Sequence, residues 1–275
     1  MYKARNDEIL LDLPVSASAE ERLTDKSCLN VEDIVRFADT VDPALLEPVL
    51  ERQIRYNSAI AEEGIRGGWG AEIGRILLEG ANGDIQTEAK AYAAAGSDAR
   101  MSGCEMPVVI LSGSGNQGIT ASLPVIRYAK HLGASREQLL RALALSDLIT
   151  IHQKTGIGRL SAYCGAISAG VGAGAGICYL QGGGYTAVAH TVVNAVAVLS
   201  GTICDGAKPS CAAKIAAAVD AGIMGYYMYI NGQQFKGGDG IVSKGVENTI
   251  TNVGRLGKDG MRETDKEIIR IMTEC

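Results

Sequence analysis

Residues 160–204 read LSAYCGAISAGVGAGAGICYLQGGGYTAVAHTVVNAVAVLSGTIC, a run without a single charged side chain. Small residues dominate the run, and small side chains let helix backbones approach one another closely. The run therefore predicts two helices, over 161–180 and 185–204, joined by a glycine-rich turn at 181–184. Its length and apolarity would also fit two membrane spans of about 20 residues each, so a membrane protein is one interpretation to test.

The segment GVGAGAG at 170–176 has a glycine spacing similar to that of a dinucleotide-binding loop. Such a loop follows a strand and begins a helix, whereas no strand is predicted before this segment. We therefore interpret these glycines as contact points between closely packed helices.

Helical patterns continue on both sides of this run. Helix starts are indicated by Asn30, by an Asp-Pro pair at 42–43, and by a capping-box pattern that pairs Ser135 with Gln138. The spacing of apolar residues predicts further helices over 31–38, 43–64, 70–81, 86–101, 119–132, 136–148, 208–229, 241–253 and 262–274.

An extended strand is predicted only near the beginning, over 8–14, where Pro14 would end it. The sequence thus predicts a mainly α protein, a Gly/Ala-rich helical domain with little or no strand beyond the N-terminal residues. Its predicted organisation is an extended N-terminal segment, 1–28, followed by one helical domain, 29–275.

Composition excludes several classes of protein. Hydrophobic residues make up 47% of the 275 residues and charged residues 21%, which is typical of a globular chain. The net charge of −5 provides no basic surface for nucleic acid or for an anionic membrane. Residues 1–14 lack a signal-peptide pattern, so the seven cysteines predict a cytoplasmic protein with metal, redox or nucleophilic thiols rather than disulfides.

Three of the cysteines form a candidate cluster. Cys204 and Cys211 flank the segment DGAKPS, whose glycine and proline favour a bend or a helix start. Cys164 precedes the first apolar helix, and a hairpin through 181–184 would return the chain to the same end. The three thiols would then converge beside a helix N-terminus, which favours anionic groups. The alternative is that they are small buried residues, because this spacing is not specific for metal.

The glycine-rich segment SGSGNQG at 112–118 precedes a predicted helix. Exposed backbone amides there would bind a carboxylate or phosphate, although the segment lacks the Gly-Lys-Ser/Thr of a nucleotide-binding P-loop. An ordinary glycine turn is the other interpretation. His152 and Lys154 are polar within an apolar region and are candidates for contact with a substrate.

The remaining cysteines and histidines are weaker candidates for a functional site. Cys28, Cys104 and Cys178 have no partner at an informative spacing. His190 lies in an apolar run and is expected to be a hydrogen-bonded core residue. Cys275 is the last residue of the sequence and is expected to be an exposed bystander.

Three separated motifs, SDARMSGC at 97–104, SGSGNQGIT at 112–120 and CDGAKPSC at 204–211, resemble those of the L-cysteine desulfidases. These proteins are relatives of the iron–sulfur L-serine dehydratase α chain, and many of them are uncharacterised. The segments EEG at 62–64 and GMRETDK at 260–266 are similar as well. The resemblance begins near residue 30 and covers nearly all of the remaining chain.

The resemblance implies a [4Fe–4S] cluster held by Cys164, Cys204 and Cys211, with one iron left without a protein ligand. It implies β-elimination of L-cysteine to sulfide, ammonia and pyruvate, or the corresponding reaction of L-serine. For the substrate carboxylate we select the glycine-rich segment and a nearby lysine: Ser112, Ser114, Gly115, Asn116, Gln117 and Lys154.

The family pattern also has an N-terminal region with a Gly-Cys-Thr-Glu-Pro-type motif, whose cysteine is thought to be the catalytic base. This sequence has no such motif, and Cys28 does not match it. The resemblance therefore implies either one subunit of a split lyase, completed by a second polypeptide, or a truncated product without activity of its own. A non-catalytic cluster-binding subunit is the further alternative. The resemblance also implies a homo-oligomer, with a small amino acid as substrate.

Overall fold

The computed structural model describes residues 2–6, 8–12, 24–158 and 161–274. Two short strands, β1 (Tyr2–Arg5) and β2 (Glu8–Asp12), form an antiparallel hairpin. The remaining elements are helices: α1 (Val31–Thr40), α2 (Pro43–Arg66), α3 (Ile73–Glu79), α4 (Ile85–Met101), α5 (Gly115–Leu132), α6 (Arg136–Ile157), α7 (Gly165–Leu180), α8 (Tyr185–Leu199), α9 (Cys211–Ile230), α10 (Val246–Arg255), a π-helical turn at Leu256–Gly260, and α11 (Arg262–Thr273). The predicted mainly α fold class is confirmed, and in the described parts of the chain only isolated bridges supplement the hairpin.

The predicted helix starts are confirmed. The side chain of Asn30 accepts a hydrogen bond from the Asp33 amide at 2.8 Å. Ser135 and Gln138 form the reciprocal capping box at the start of α6. Each of these side chains satisfies a backbone amide that the first turn of a helix leaves without a partner.

Helix α7 lies at the centre of the fold and packs against α5, α6, α8 and α9. Its glycines face two different neighbours. A Cβ atom on Gly170 or on Gly174 would lie 2.3 Å from a backbone oxygen of α9, whereas one on Gly172 would lie 2.2 Å from Thr150 Oγ1 of α6. Only glycine fits at such distances, so the interpretation of these residues as packing glycines is confirmed.

Helix α6 is longer than predicted and ends at Ile157 instead of 148. The added residues include polar side chains that are buried between α6 and α7. Thr150 donates to the Ser146 carbonyl at 2.8 Å, and Gln153 donates to the Ser168 carbonyl at 3.2 Å. These side chains interrupt the apolar pattern in the sequence, but their hydrogen bonds allow burial.

Helix α7 starts at Gly165 and α8 ends at Leu199, so both predicted helices at 161–180 and 185–204 are shorter than expected. Residues 162–164 instead run antiparallel to 202–204. The Cys164 amide donates to the Thr202 carbonyl at 3.0 Å, and the Cys204 amide donates to the Ala162 carbonyl at 2.6 Å. This bridge joins the beginning of α7 to the segment that follows α8.

The apolar run raised the question of membrane spans. In the parts of the chain with described coordinates, no helix combines the length and the apolarity that crossing a bilayer requires.

Candidate functional site

The glycine-rich segment forms a tight turn directly before α5. Leu111 and Ser114 exchange backbone hydrogen bonds of 3.0 and 3.1 Å. The two residues between them, Ser112 and Gly113, have φ angles of 46° and 86°. Positive φ at both central positions is characteristic of a type I′ turn. The side chain of Ser114, the N-cap residue, makes no capping hydrogen bond, so it leaves the first amides of α5 open to a ligand.

Buried contacts hold this turn in place. Asn57 of α2 accepts a hydrogen bond from the Val109 amide at 2.9 Å and donates to Ser122 Oγ of α5 at 3.0 Å. A Cβ atom on Gly118 would lie 2.0 Å from the Val109 carbonyl oxygen. The segment leading into the turn is thus fixed against α5, which orients the open amides.

The bridge between 162–164 and 202–204 brings two of the predicted cysteine ligands together. Cys164 is the N-cap residue of α7 and is buried, whereas Cys204 is exposed. The third, Cys211, is the first residue of α9, and its Sγ lies 3.6 Å from the Gly206 carbonyl oxygen. Two helix N-termini therefore carry two of the three thiols.

Asp205 organises the loop between Cys204 and Cys211. It pairs with Lys214 of α9 and, at 3.0 Å, with Lys208. Lys214 also donates to the Ile203 carbonyl at 3.1 Å. The hydrogen bond from Lys214, with that from Lys208, lowers the pKa of Asp205 to about 2 despite partial burial. The loop is therefore tied by charge to the first turn of α9.

The turn before α5 and the three cysteines line one cavity of about 330 Å³. It is lined by the turn before α5, the starts of α5, α7 and α9, and the end of α4. Its lining consists of Arg100, Ser112, Gly113, Ser114, Asn116, Gln117, Lys154, Ser161, Tyr163, Cys164, Gly165, Ala166, Cys204, Gly206, Ala207, Cys211 and Ile215. Of the nine residues selected for the cluster and the substrate carboxylate, only Gly115 is not in the lining, and it stands between Ser114 and Asn116 at the start of α5. No Asp or Glu belongs to the described lining, so three helix N-termini and two cations give the cavity a positive character.

Charges inside the cavity influence one another. Burial raises the pKa of the Cys164 thiol, and Cys204 and Cys211 nearby raise it further, against the lowering effects of the Ala166 amide and Lys214. Burial lowers the pKa of Lys154, which is only 6% exposed, while the thiols of Cys164 and Cys204 act in the opposite direction. The thiols and Lys154 are thus close enough to interact electrostatically.

Arg100 lines the cavity but was not among the candidates selected from the sequence. Its Nη1 donates to Asn116 Oδ1 at 3.1 Å, and a Cβ atom on Gly115 would lie 2.3 Å from its Nε. Burial lowers the pKa of this guanidinium, whereas Cys211 raises it. The available signal in the sequence was its position in the motif at 97–104, but a motif does not show in which direction a side chain points.

The three cysteine side chains provide a donor set that can be compared with the needs of a metal ion and of an iron–sulfur cluster. The described residues contain no group of three or more His, Cys, Asp or Glu side chains arranged to hold a single metal ion. Thiolates that hold a cluster stand further apart than ligands of one ion, because each binds a different iron. Three free thiols on one cavity, without a carboxylate in its described lining, fit a thiolate-bound cluster in chemistry.

The structure places the other candidates elsewhere. His152 Nε2 lies 2.7 Å from Glu247 Oε2. His152 therefore links α6 to α10 and does not line the cavity. His190, expected in the core, is half-buried and stacks on Tyr229 beside a cavity of about 400 Å³ between 185–193 and 234–246. Cys28 is exposed, Cys104 is half-buried and Cys178 is buried, each as a free thiol. Cys275 lies outside the described residues.

Glu247→Gln is expected to lower the free energy of unfolding by about 1 kcal/mol at pH 7. Glu247 accepts from His152 and, at 2.7 Å, from the Val31 amide. Burial alone would raise the pKa of Glu247, but these hydrogen bonds and the charge of His152 lower it. The stabilisation is therefore fully present above the ordinary pKa of 4.5 and is lost as the pH falls through the lower pKa that Glu247 has in the folded protein. Urea unfolding at pH 7 and at about pH 3 should show the two proteins converging in acid; a constant difference would contradict the prediction.

Known proteins resemble this chain over nearly its whole length. A family model described as the serine dehydratase alpha chain matches residues 14–270. A UPF0597 protein of Desulfitobacterium hafniense is 62% identical over 268 residues, which cover 98% of this chain and 62% of that protein. A UPF0597 protein of Lachnoclostridium phytofermentans is 53% identical over 253 residues, which cover 92% and 61%. The chain spans about six-tenths of the length of these relatives. No solved structure matches it.

Proposed function

Because this chain belongs to the serine dehydratase alpha chain family, we propose that it carries the cluster-binding portion of a [4Fe–4S]-dependent lyase. The proposed reaction is β-elimination of L-cysteine to sulfide and aminoacrylate, which hydrolyses to pyruvate and ammonia. Cys164, Cys204 and Cys211 are the proposed ligands of the cluster.

One observation carries this proposal. The three cysteines, the turn at 112–114 and Lys154 come from segments far apart in the sequence, yet they line one cavity. Thiolates beside three helix N-termini and two cations are a favourable setting for an anionic cluster and an anionic substrate. The family match supports the same assignment, since it covers all three cysteines.

A cluster held by three thiolates supplies, when bound, an iron without a protein ligand that acts as a Lewis acid. The side chains of this chain perform the other tasks. The open amides at the start of α5, with Ser112, Ser114 and Asn116, would bind the substrate carboxylate, and Gln117 would contact another part of the same substrate. Lys154 would hold positive charge against the thiolates and the substrate from within a buried position.

The catalytic base is proposed to come from another polypeptide. The family description names an alpha chain, a term for one of the chains of an assembly, which supports a partner. Removal of the α-proton by that partner would then follow substrate binding here. In this proposal the present chain binds cluster and substrate but does not turn substrate over alone.

L-serine is the second candidate substrate, favoured by the description of the matching family. The two amino acids share the α-carboxylate and the α-ammonium group and differ only in the leaving group. Elimination from L-serine would release water and give pyruvate and ammonia without sulfide.

Anaerobic reconstitution of the chain with iron and sulfide, followed by assays of pyruvate and sulfide, tests the proposal. L-cysteine and L-serine are supplied to the chain alone and to the chain mixed with the unmatched portion of the Desulfitobacterium hafniense relative. We expect the mixture to produce pyruvate and the chain by itself to produce none. A stable cluster without turnover in the mixture would favour a non-catalytic cluster-binding subunit, and a protein without iron would contradict the cluster itself.

A further inference from the structure

We infer that Arg100 and Gln117 recognise the two charged groups of an α-amino acid in this cavity. Arg100 binds the carboxylate, and the side-chain carbonyl oxygen of Gln117 accepts a hydrogen bond from the ammonium group. The inference rests on the proposed function, because it assigns the substrate class and two specificity-determining residues of the same site.

The Arg100 guanidinium has N–H donors that no acceptor in the described parts of the chain uses. Its Nη1 donates to Asn116 Oδ1 at 3.1 Å and lies 3.9 Å from the Met101 sulfur. In the described parts of the chain no other atom accepts from the guanidinium, and no carboxylate pairs with it. A guanidinium carries five N–H donors in a planar fork that matches a carboxylate. A half-buried arginine with an unused fork on a cavity lacking Asp and Glu therefore favours a carboxylate ligand.

The position of Arg100 couples it to the start of α5. Asn116 is the second residue of that helix, and Gly115 lies directly against the guanidinium, since a Cβ atom there would be 2.3 Å from Nε. A carboxylate bound by the fork would thus lie beside the open amides of the same helix. Fork and amides together make a carboxylate site with two independent sources of positive potential.

Gln117 provides the complementary acceptor. It is only 6% exposed, lines the cavity, and its Oε1 has no hydrogen-bond partner among the described atoms. Its amide rests on the start of α7, because a Cβ atom on Gly165 would lie 2.5 Å from Nε2. A buried acceptor without a partner is unfavourable, and an ammonium donor from the ligand relieves that cost.

Calorimetric titrations of the reconstituted chain with three matched probes test the inference. L-serine carries both charged groups, L-serinamide lacks the carboxylate, and L-glycerate has a hydroxyl in place of the ammonium. The wild type is expected to bind L-serine about 10- to 100-fold more tightly than either analogue, the range for a hydrogen bond to a charged group. Arg100→Gln should lose the preference over L-serinamide, and Arg100→Lys should restore part of it. Gln117→Leu should lose only the preference over L-glycerate.

Arg55→Gln is the matched control, because Arg55 is an exposed arginine on the Tyr56 ring, outside the cavity. It should leave all three affinities unchanged. The inference is overturned if the cluster-loaded wild type does not prefer L-serine, or if Arg100→Gln keeps that preference. It is also overturned if Arg100→Gln alone loses the visible cluster band, which would assign Arg100 to the cluster. A wild type that never gains the band fails the proposed function instead, so the two failures are distinguishable.

Discussion

Replacement of Cys204 by serine is expected to abolish the broad visible absorption band of the reconstituted [4Fe–4S] cluster. A hydroxyl remains protonated at neutral pH and is a poor substitute for a thiolate on iron. Cys204 is exposed and ends the bridge between 162–164 and 202–204, whose hydrogen bonds use backbone atoms only. The substitution therefore removes one ligand while the fold stays intact. Absorption, EPR spectra and the iron content of the purified protein measure the effect.

Cys28→Ser is the matched control for this experiment. Cys28 is also an exposed free thiol, and it precedes α1, outside the residues that line the cavity. Its substitution should leave the absorption band and the iron content at the wild-type level. Equal loss of iron in both variants, or an unchanged band in Cys204→Ser, would show that Cys204 is not a ligand.

The second large effect is expected from Gly222→Ala in the middle of α9. A Cβ atom on Gly222 would lie 2.1 Å from the Gly170 backbone oxygen, and neither helix has a flexible side chain there to move aside. The two helices would have to separate, at a loss of about 3 kcal/mol or more in the free energy of unfolding. Urea denaturation measures this loss. Because α7 and α9 begin at the residues around Cys164 and Cys211, we also expect weaker cluster uptake.

Gly201→Ala controls for the general effect of adding a methyl group to a glycine. Gly201 has open space around its Cβ position and no left-handed backbone conformation. Its substitution should change the free energy of unfolding by no more than about 0.5 kcal/mol. Similar destabilisation by both substitutions would contradict the assignment of Gly222 as a point of close backbone contact.

The sequence alone determined the helical class, the helix starts and the role of the central glycines. Those features are local: Asn30 and Ser135 bond to amides within their own first turns, and glycine spacing along one helix defines which faces allow close approach. The predicted cysteines and the turn at 112–114 line one cavity. The sequence pattern had suggested that the three cysteines converge, whereas only the resemblance had joined them to the turn.

Features that depend on contacts between distant segments became known only from the tertiary structure. The backbone bridge at Cys164 and Cys204 ended α8 early, and buried hydrogen bonds of Gln153 carried α6 further than its apolar pattern predicts. Arg100 and Gln117 became candidates in the same way. A motif records that an arginine is present, but its direction and its unused donors are set by Asn116 and Gly115, on another helix. Local sequence encodes backbone preferences, whereas the partners of a polar side chain exist only after the helices have packed.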